Sequence, residues 1–263
     1  MQQPAQILDK HPSTDTQLRV LRHFRWIHHE LDVAPILAEL DAQPDLWDQH
    51  PERRTAPGSP HAGMTDIWVR ARAYSDLQTP GAFRAEHRPV FYPAWRQLPA
   101  LQPVVHALMR MHRGVELGNI LLTRIRPGQR VLPHTDTGWA AEFFTSKFYV
   151  VLRSNADVVN LAGEGDDEEQ VVMVPGSIWQ FENRVVHSIE NRGTTDRISL
   201  IVTLRGGDDL DITEPRGARP SPLQHPVAVD AAAGCSGGLA WQIPVVADGE
   251  AVDVRTNHHL VSA

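Results

Sequence analysis

The sequence predicts a mainly β fold with flanking helices, and three observations predict it. From Val115 to Leu204, short β-type runs alternate with turns, a spacing that belongs to a sandwich or barrel and not to repeated β–α units. Ahead of that region lie two stretches with helical periodicity. No apolar run approaches the roughly 20 residues that a membrane-spanning helix requires.

Taken in order, DVAPILAELDAQ is the first helix: Asp32 can cap its start, and Val33, Ile36, Leu37 and Leu40 share one face. PERRTAPGSPH follows as an irregular loop and DIWVRAR as a strand. The second helix is LPALQPVVHALMRMH, with Leu101, Val104, Val105, Leu108 and Met111 on its apolar face. Pro103 falls in the first turn, where a missing N–H costs little, and Gly114 is the expected stop. The strands are then GNILLTRI, KFYVVLR, DVVNL, QVVMV, SIWQF, VVHSIE and RISLIVTL, divided by the turns RPGQ, GEGDDEEQ, VPGS and NRGTTD. Beyond Arg205 the chain becomes polar and Pro-rich, as a linker or clasp does, before GLAWQIPVVADG and AVDVR regain enough apolar character for a hairpin.

Composition narrows the function by exclusion. The 263 residues, 41% apolar and 22% charged, suit an ordinary globular protein with one large domain and an appendage, or two small domains. A net charge of −7 gives no electrostatic reason to expect nucleic acid or an acidic membrane as partner. The sole cysteine, Cys235, can form neither an internal disulfide nor a zinc site that needs two thiolates. The opening MQQPAQILDKHPSTDTQ has no apolar core of the signal-peptide kind. A reducing cytoplasm is the expected compartment.

The candidate chemistry begins in VLPHTDTGW. On an extended segment, the i, i+2 spacing of His134 and Asp136 puts both side chains on one face. Downstream, His187 sits inside the β-type run VVHSIE and can point into a barrel as readily as a valine. Together they make a two-histidine, one-carboxylate set. Such a set covers one triangular face of an octahedral metal, leaves three positions for substrate and dioxygen, and is diagnostic of non-haem Fe(II) oxygenases. Arg197 adds a fourth element. It and His187 flank NRGTTD at similar distances, so a hairpin there would place them nearly opposite one another on adjacent strands. Alternation along RISLIVTL gives Arg197, Ser199, Ile201 and Thr203 one side, and Ile198, Leu200, Val202 and Leu204 the other. A face that begins with Arg and Ser suits a carboxylate, gripped bidentately by the guanidinium with one further bond from the hydroxyl. A metal set with such an arginine is the layout for a 2-oxo dicarboxylate.

GNILLTRIRPGQRVLPHTDTGW, then SKFYVVLRSN, then VPGSIWQFENRVVHSIENRGTTDRISLIVTL resemble the aspartyl/asparaginyl β-hydroxylase family of Fe(II)- and 2-oxoglutarate-dependent dioxygenases. The resemblance covers roughly residues 60 to 205, with GSPHAGMTDIWVR a weaker match at its start. The ordered series HTD, PG-x-x-W, H-S-x-E-N and D-R-I-S carries it. It implies a double-stranded β-helix, the jelly-roll core of cupins, over about residues 115–206. It implies His134, Asp136 and His187 as iron ligands, Arg197 as anchor of the side-chain carboxylate of 2-oxoglutarate, and Lys147 near the cosubstrate's other carboxylate. The implied activity is hydroxylation of an unactivated C–H in an amino acid or peptidyl residue (Asp- or Asn-like), consuming O2 and releasing succinate and CO2. The animal enzymes that named the family lack the carboxylate ligand that Asp136 supplies, so the resemblance is to a bacterial or phage branch. The organisation implied is a single catalytic domain over 1–206, with an N-terminal helical and loop cover, and an extension over 207–263.

Trp139 and Trp179 can roof the pocket or serve as core, and His61 can belong to a loop over the substrate or stand free in it. The acidic GEGDDEEQ lacks EF-hand spacing and reads as a solvated turn. Two other functions compete. A metal-dependent cupin of non-oxygenase type has no need of Arg197 with Ser199, and a non-enzymatic cupin-like binding module has no need of three iron ligands. The expected partner is a small-molecule or peptidyl substrate.

Overall fold

The β-type runs sort into two antiparallel sheets, and the order in which they do so defines the architecture. A computed structural model describes residues 21–78 and 84–206. Cys235, the opening segment and the tail lie outside the described residues. In chain order the elements are β1 (Phe24–His28), α1 (Ala34–Ala42), α2 (Glu52–Thr55), β2 (Thr65–Ala71), β3 (Val90–Phe91), α3 (Ala94–Gln97), α4 (Leu101–Met111) and β4 (Gly114–Ile125). They continue with β5 (Arg130–His134), α5 (Trp139–Phe143), β6 (Ser146–Arg153), β7 (Val158–Ala162), β8 (Glu169–Val171), β9 (Ile178–Phe181), β10 (His187–Asn191) and β11 (Arg197–Gly206). One sheet has the order β1-β9-β6-β11-β4-β2-β3 and the other β5-β10-β7-β8. From β4 to β11 the chain therefore passes back and forth between the sheets, which is the winding of a jelly roll, a double-stranded β-helix.

Two cores follow from the alternation of side chains along the large sheet. Ile198, Leu200, Val202 and Leu204 on β11 face outward and are covered by α1 and α4 through Ile36, Leu40, Val104, Val105 and Leu108. Each such aliphatic side chain contributes about 1.5–3 kcal/mol on burial. The opposite face packs against the small sheet, with Ile125, Tyr149, Val151 and Ile201 meeting Val131, Val158 and Ile189. This second core is incomplete toward one end, and there the polar residues collect. Among the described residues no helix is long and apolar enough to cross a membrane.

Several local expectations are corrected. The turn NRGTTD does not close a hairpin: β10 pairs with β5 and β7, whereas β11 pairs with β4 and β6. The connection passes from one sheet to the other because buried Asn191 donates its side-chain N–H groups to Ile125 O (2.9 Å) and Thr195 O (2.8 Å). His187 and Arg197 thus face each other across the interior, and not along a ladder. Gly114 does not stop α4. Its last turn closes at His112, Arg113 takes the left-handed conformation (φ +46), and Gly114 opens β4. Asp32 accepts the Ala34 N–H at 3.0 Å, but Val33 holds the cap position of α1. PERRTAPGSPH contains the helical turn α2. The strands β1, β3 and β5 were not expected; β1 is short, and it joins the edge of the large sheet by pairing with β9.

Candidate metal centre and its two cavities

The strands bring the three ligand candidates together. His134 ends β5 and is directly paired with His187, the first residue of β10. Asp136 lies just past the strand, where its N–H donates to Asn183 O at 3.0 Å and turns the carboxylate back over the two rings. Its Oδ1 is 3.5 Å from His134 Nε2 and 3.9 Å from His187 Nε2. One donor atom from each of the three falls within 4.8 Å of the others, so the group can hold a metal ion.

Hydrogen bonds to backbone settle which ring atoms face inward. Nδ1 of His134 lies 2.8 Å from Leu132 O, and Nδ1 of His187 lies 3.0 Å from Val185 O. A carbonyl only accepts, so both Nδ1 atoms carry the proton and both Nε2 atoms present lone pairs. Two imidazole lone pairs and a carboxylate oxygen then converge with no hydrogen between them, and His134 Nε2 is buried without a hydrogen-bond partner. A cation relieves that arrangement. Burial alone would push the Asp136 carboxyl up, but the Lys147 charge beside it reverses this and holds it well below the usual carboxylate range. Its Oδ2 accepts hydrogen bonds from Lys147 Nζ and, at 3.0 Å, Asn183 Nδ2. Burial, followed by the Lys147 charge, lowers the His187 pKa to about 4, so this ring remains a neutral ligand at ordinary pH.

Behind the trio lies a narrow inner cavity between the sheets. Thr123, Ile125, Lys147, Tyr149, Arg197 and Ile201 line it from the large sheet, and Val131, His134, His187 and Ile189 from the small one. Arg197 is 1% exposed, its guanidinium carbon stands 5.1 Å over the Tyr149 ring, and both terminal nitrogens lack a hydrogen-bond partner. Burial lowers its pKa to about 10, which still leaves it charged. A buried guanidinium with two unanswered donors is costly unless a planar anion meets it. The far carboxylate of 2-oxoglutarate fits that requirement. Ser199 is fully buried with its hydroxyl unpartnered, although Thr123, its neighbour across the ladder, is the hydroxyl that lines the cavity.

In front of the trio opens a wider cleft. Its lining includes His61, Arg53, Arg72, Arg84 and His87 on one side and the segment Thr135–Thr137 on the other. His61 lines both cavities, with its ring 4.7 Å from that of His134 and its Nε2 3.3 Å from Arg53. Burial, then the Arg53 charge, pushes its pKa far down. Trp139 lines neither cavity; it stacks on Phe143 at 4.5 Å and meets His87 edge-on at 5.4 Å. Trp179 is core, 4% exposed, with Nε1 donating to Ser177 Oγ at 2.9 Å. Thr123 was findable, since alternation from Ile125 puts it on the inner face. Arg53, Asn183, Arg72 and His87 gave no sign in the sequence, because a single helical turn and irregular segments deliver them.

A jelly roll with two histidines and a carboxylate at its open end, facing a buried arginine, is the framework of a non-haem iron oxygenase. The aspartyl/asparaginyl β-hydroxylase family model matches residues 59–206, and the chain belongs to that family. With it come hydroxylase activity and the cofactors Fe(II), 2-oxoglutarate and O2, which suit the triad. A comparison with curated proteins finds no match. Similar solved structures include a 2OG-Fe(II) oxygenase family oxidoreductase from Burkholderia pseudomallei (12% identity, 54% of this chain and 67% of that one, TM-score 0.41). A Pseudomonas putida prolyl-4-hydroxylase is 17% identical, over 70% of this chain and 93% of that one, with a TM-score of 0.41. A Trichoplax adhaerens prolyl hydroxylase, solved with a hypoxia inducible factor peptide fragment, is 10% identical over 73% and 88%, with a TM-score of 0.46.

Proposed function

We propose that this hydroxylase acts on an unactivated C–H bond of an amino acid or a peptidyl residue, with His134, Asp136 and His187 as the iron ligands and Arg197 as the cosubstrate anchor. The observation that carries the reading is the inner cavity itself: converging lone pairs at one end and an unpartnered guanidinium at the other. When bound, the iron and 2-oxoglutarate supply the oxidising chemistry and, with O2, the oxygen atom, leaving succinate and CO2. The chain's own residues bind and orient. Leu132 O and Val185 O keep the two rings turned with Nε2 inward. Lys147 and Asn183 take Asp136 Oδ2, which leaves Oδ1 for the metal. Arg197 grips the far carboxylate, with Thr123 supplying the hydroxyl that lines the cavity beside it and Ser199 behind it on the ladder. Lys147 also lines the cavity, where its charge favours the near carboxylate. Ile125, Val131, Ile189 and Ile201 keep water away, which strengthens each of these electrostatic contacts. The substrate enters by the outer cleft, past His61.

The catalytic unit in this reading is residues 1–206, with 207–263 as an extension; the division of the chain into Met1–Asp209 and Leu210–Ala263 supports that boundary. The test is calorimetry of 2-oxoglutarate binding with and without Fe(II) under anaerobic conditions. Binding that needs both the metal and Arg197 is expected. Equal binding by the Arg197→Met variant would remove the reading's main support.

A further inference from the structure

Among its described lining residues the outer cleft holds four cationic side chains, Arg53, Arg72, Arg84 and Lys147, against one carboxylate, Asp136. Two of the cations are answered: Arg53 pairs with buried Asp66 at 3.2 Å, and Lys147 with Asp136. Arg72 and Arg84 belong to neither pair, although the Asp76 charge acts on Arg72 from outside the cleft lining. Arg72 is 7% exposed, and its Nη2 donates to Ala85 O and, at 2.6 Å, to His87 Nδ1. Nδ1 also lies 3.1 Å from Ala85 O, but its shorter contact is with the guanidinium, which only donates, so His87 Nδ1 is the acceptor and the ring proton sits on Nε2. That Nε2 is buried with no hydrogen-bond partner, on a residue 8% exposed. Burial pushes the His87 pKa down, which keeps the ring neutral and the donor in place. A buried donor left unanswered is costly, and a ligand atom that meets it recovers the cost.

The pair is also tied to the metal centre. Gly138, two residues beyond Asp136, has φ +93, and a Cβ there would come within 2.9 Å of Arg84 Cα. The next residue, Trp139, meets the His87 ring at 5.4 Å. The arginine–histidine group is thereby held against the segment that carries a ligand.

We propose that Arg72 and His87, with Arg84 at the rim, form a carboxylate-binding subsite for the prime substrate. The inference rests on the hydroxylase reading and says what that substrate carries: a carboxylate that is recognised and left unreacted while a C–H elsewhere is hydroxylated. A guanidinium beside a neutral N–H matches a planar two-oxygen anion. The free carboxylate of an amino acid and that of a peptide share this chemistry.

The test uses the full chain saturated with Zn(II) and 2-oxoglutarate, which fills the inner cavity without turnover. Calorimetry then compares the free L-amino acids, and N-acetyl tripeptides with a C-terminal or side-chain carboxylate, each with its amide counterpart. At least one carboxylate should bind ten-fold or more tightly than its amide. His87→Phe and Arg72→Met should each weaken it at least ten-fold, with His87→Gln, which retains an N–H, losing less. The amino-acid and peptide arms separate the two sources. Equal binding of acid and amide, undiminished binding by both variants, or binding by no carboxylate overturns the subsite. Retained 2-oxoglutarate binding shows that each variant is folded; failure of 2-oxoglutarate to bind the unaltered chain would instead overturn the hydroxylase reading, and the subsite with it.

Discussion

The inner cavity and the outer cleft meet at His134, yet they are built differently. The inner cavity takes nearly all its walls from strands of the two sheets, where alternation fixes which side chains face in. The outer cleft takes half of its polar groups from the segments around Ser59 to His61 and Arg84 to His87, and from the turn after β5. Rigid strands hold a chemistry that stays the same from turnover to turnover; loops carry the part that decides which molecule is accepted. The contrast can be broken by experiment, since changes in the inner cavity should remove activity outright and changes outside it should be graded.

The largest effect is expected at the ligands. His134→Ala, Asp136→Ala or His187→Ala should abolish stoichiometric Fe(II) binding and reduce succinate formation to background. Next comes Arg197→Met, which removes a bidentate, charge-assisted contact and should weaken 2-oxoglutarate binding by about 100-fold or more. The same variant should leave the metal-free protein at least as stable in urea, because an unpaired buried guanidinium is removed. Loss of both stability and binding would mean that Arg197 is structural. Lys147→Met should weaken metal affinity by about 10–100-fold, because Asp136 then loses its charged partner. A titration of metal binding that matches the unaltered chain would deny Lys147 that role.

Acid provides a further probe. His187 titrates near 6.5 when exposed and near 4 in the folded chain. The unfolded chain therefore binds the proton first, and metal-free protein should lose stability as pH falls from about 6.5 toward 4, by on the order of 3 kcal/mol from this group. Urea midpoints at pH 7 and 4.5 measure it, and His187→Gln should flatten the difference. The smallest effect is assigned to Trp179→Phe. It forfeits the bond to Ser177 Oγ and should cost about 1 kcal/mol of stability with unchanged turnover. A fall in turnover there would place Trp179 in the pocket after all.

What was legible in the sequence follows the same division. Seven of the jelly-roll strands have an alternating or continuous apolar pattern, and the H-x-D, the second histidine and the arginine stand at fixed places on or beside them. Strand alternation also separated Arg197, Ser199 and Ile201 from the helix-covered face of β11. The hairpin between β10 and β11 was misread because a short Gly-containing turn looks the same whether its strands pair or cross to another sheet; the deciding contact is the long-range bond from Asn191 to Ile125. Arg113, and not the adjacent glycine, took the left-handed turn after α4, a choice set by helix closure at His112. Arg72 and His87 reach the cleft from the end of β2 and from a segment without regular structure, and neither position has a period to reveal it.

The measurement that tests the account most directly is an anaerobic titration of the chain with Fe(II) in the presence and absence of 2-oxoglutarate, following visible absorbance. A charge-transfer band that needs both components, and is lost in Asp136→Ala, His187→Ala and Arg197→Met, is the predicted result. Iron binding without the band, or a band that persists when Arg197 is replaced, would contradict the assignment of the inner cavity to the cosubstrate.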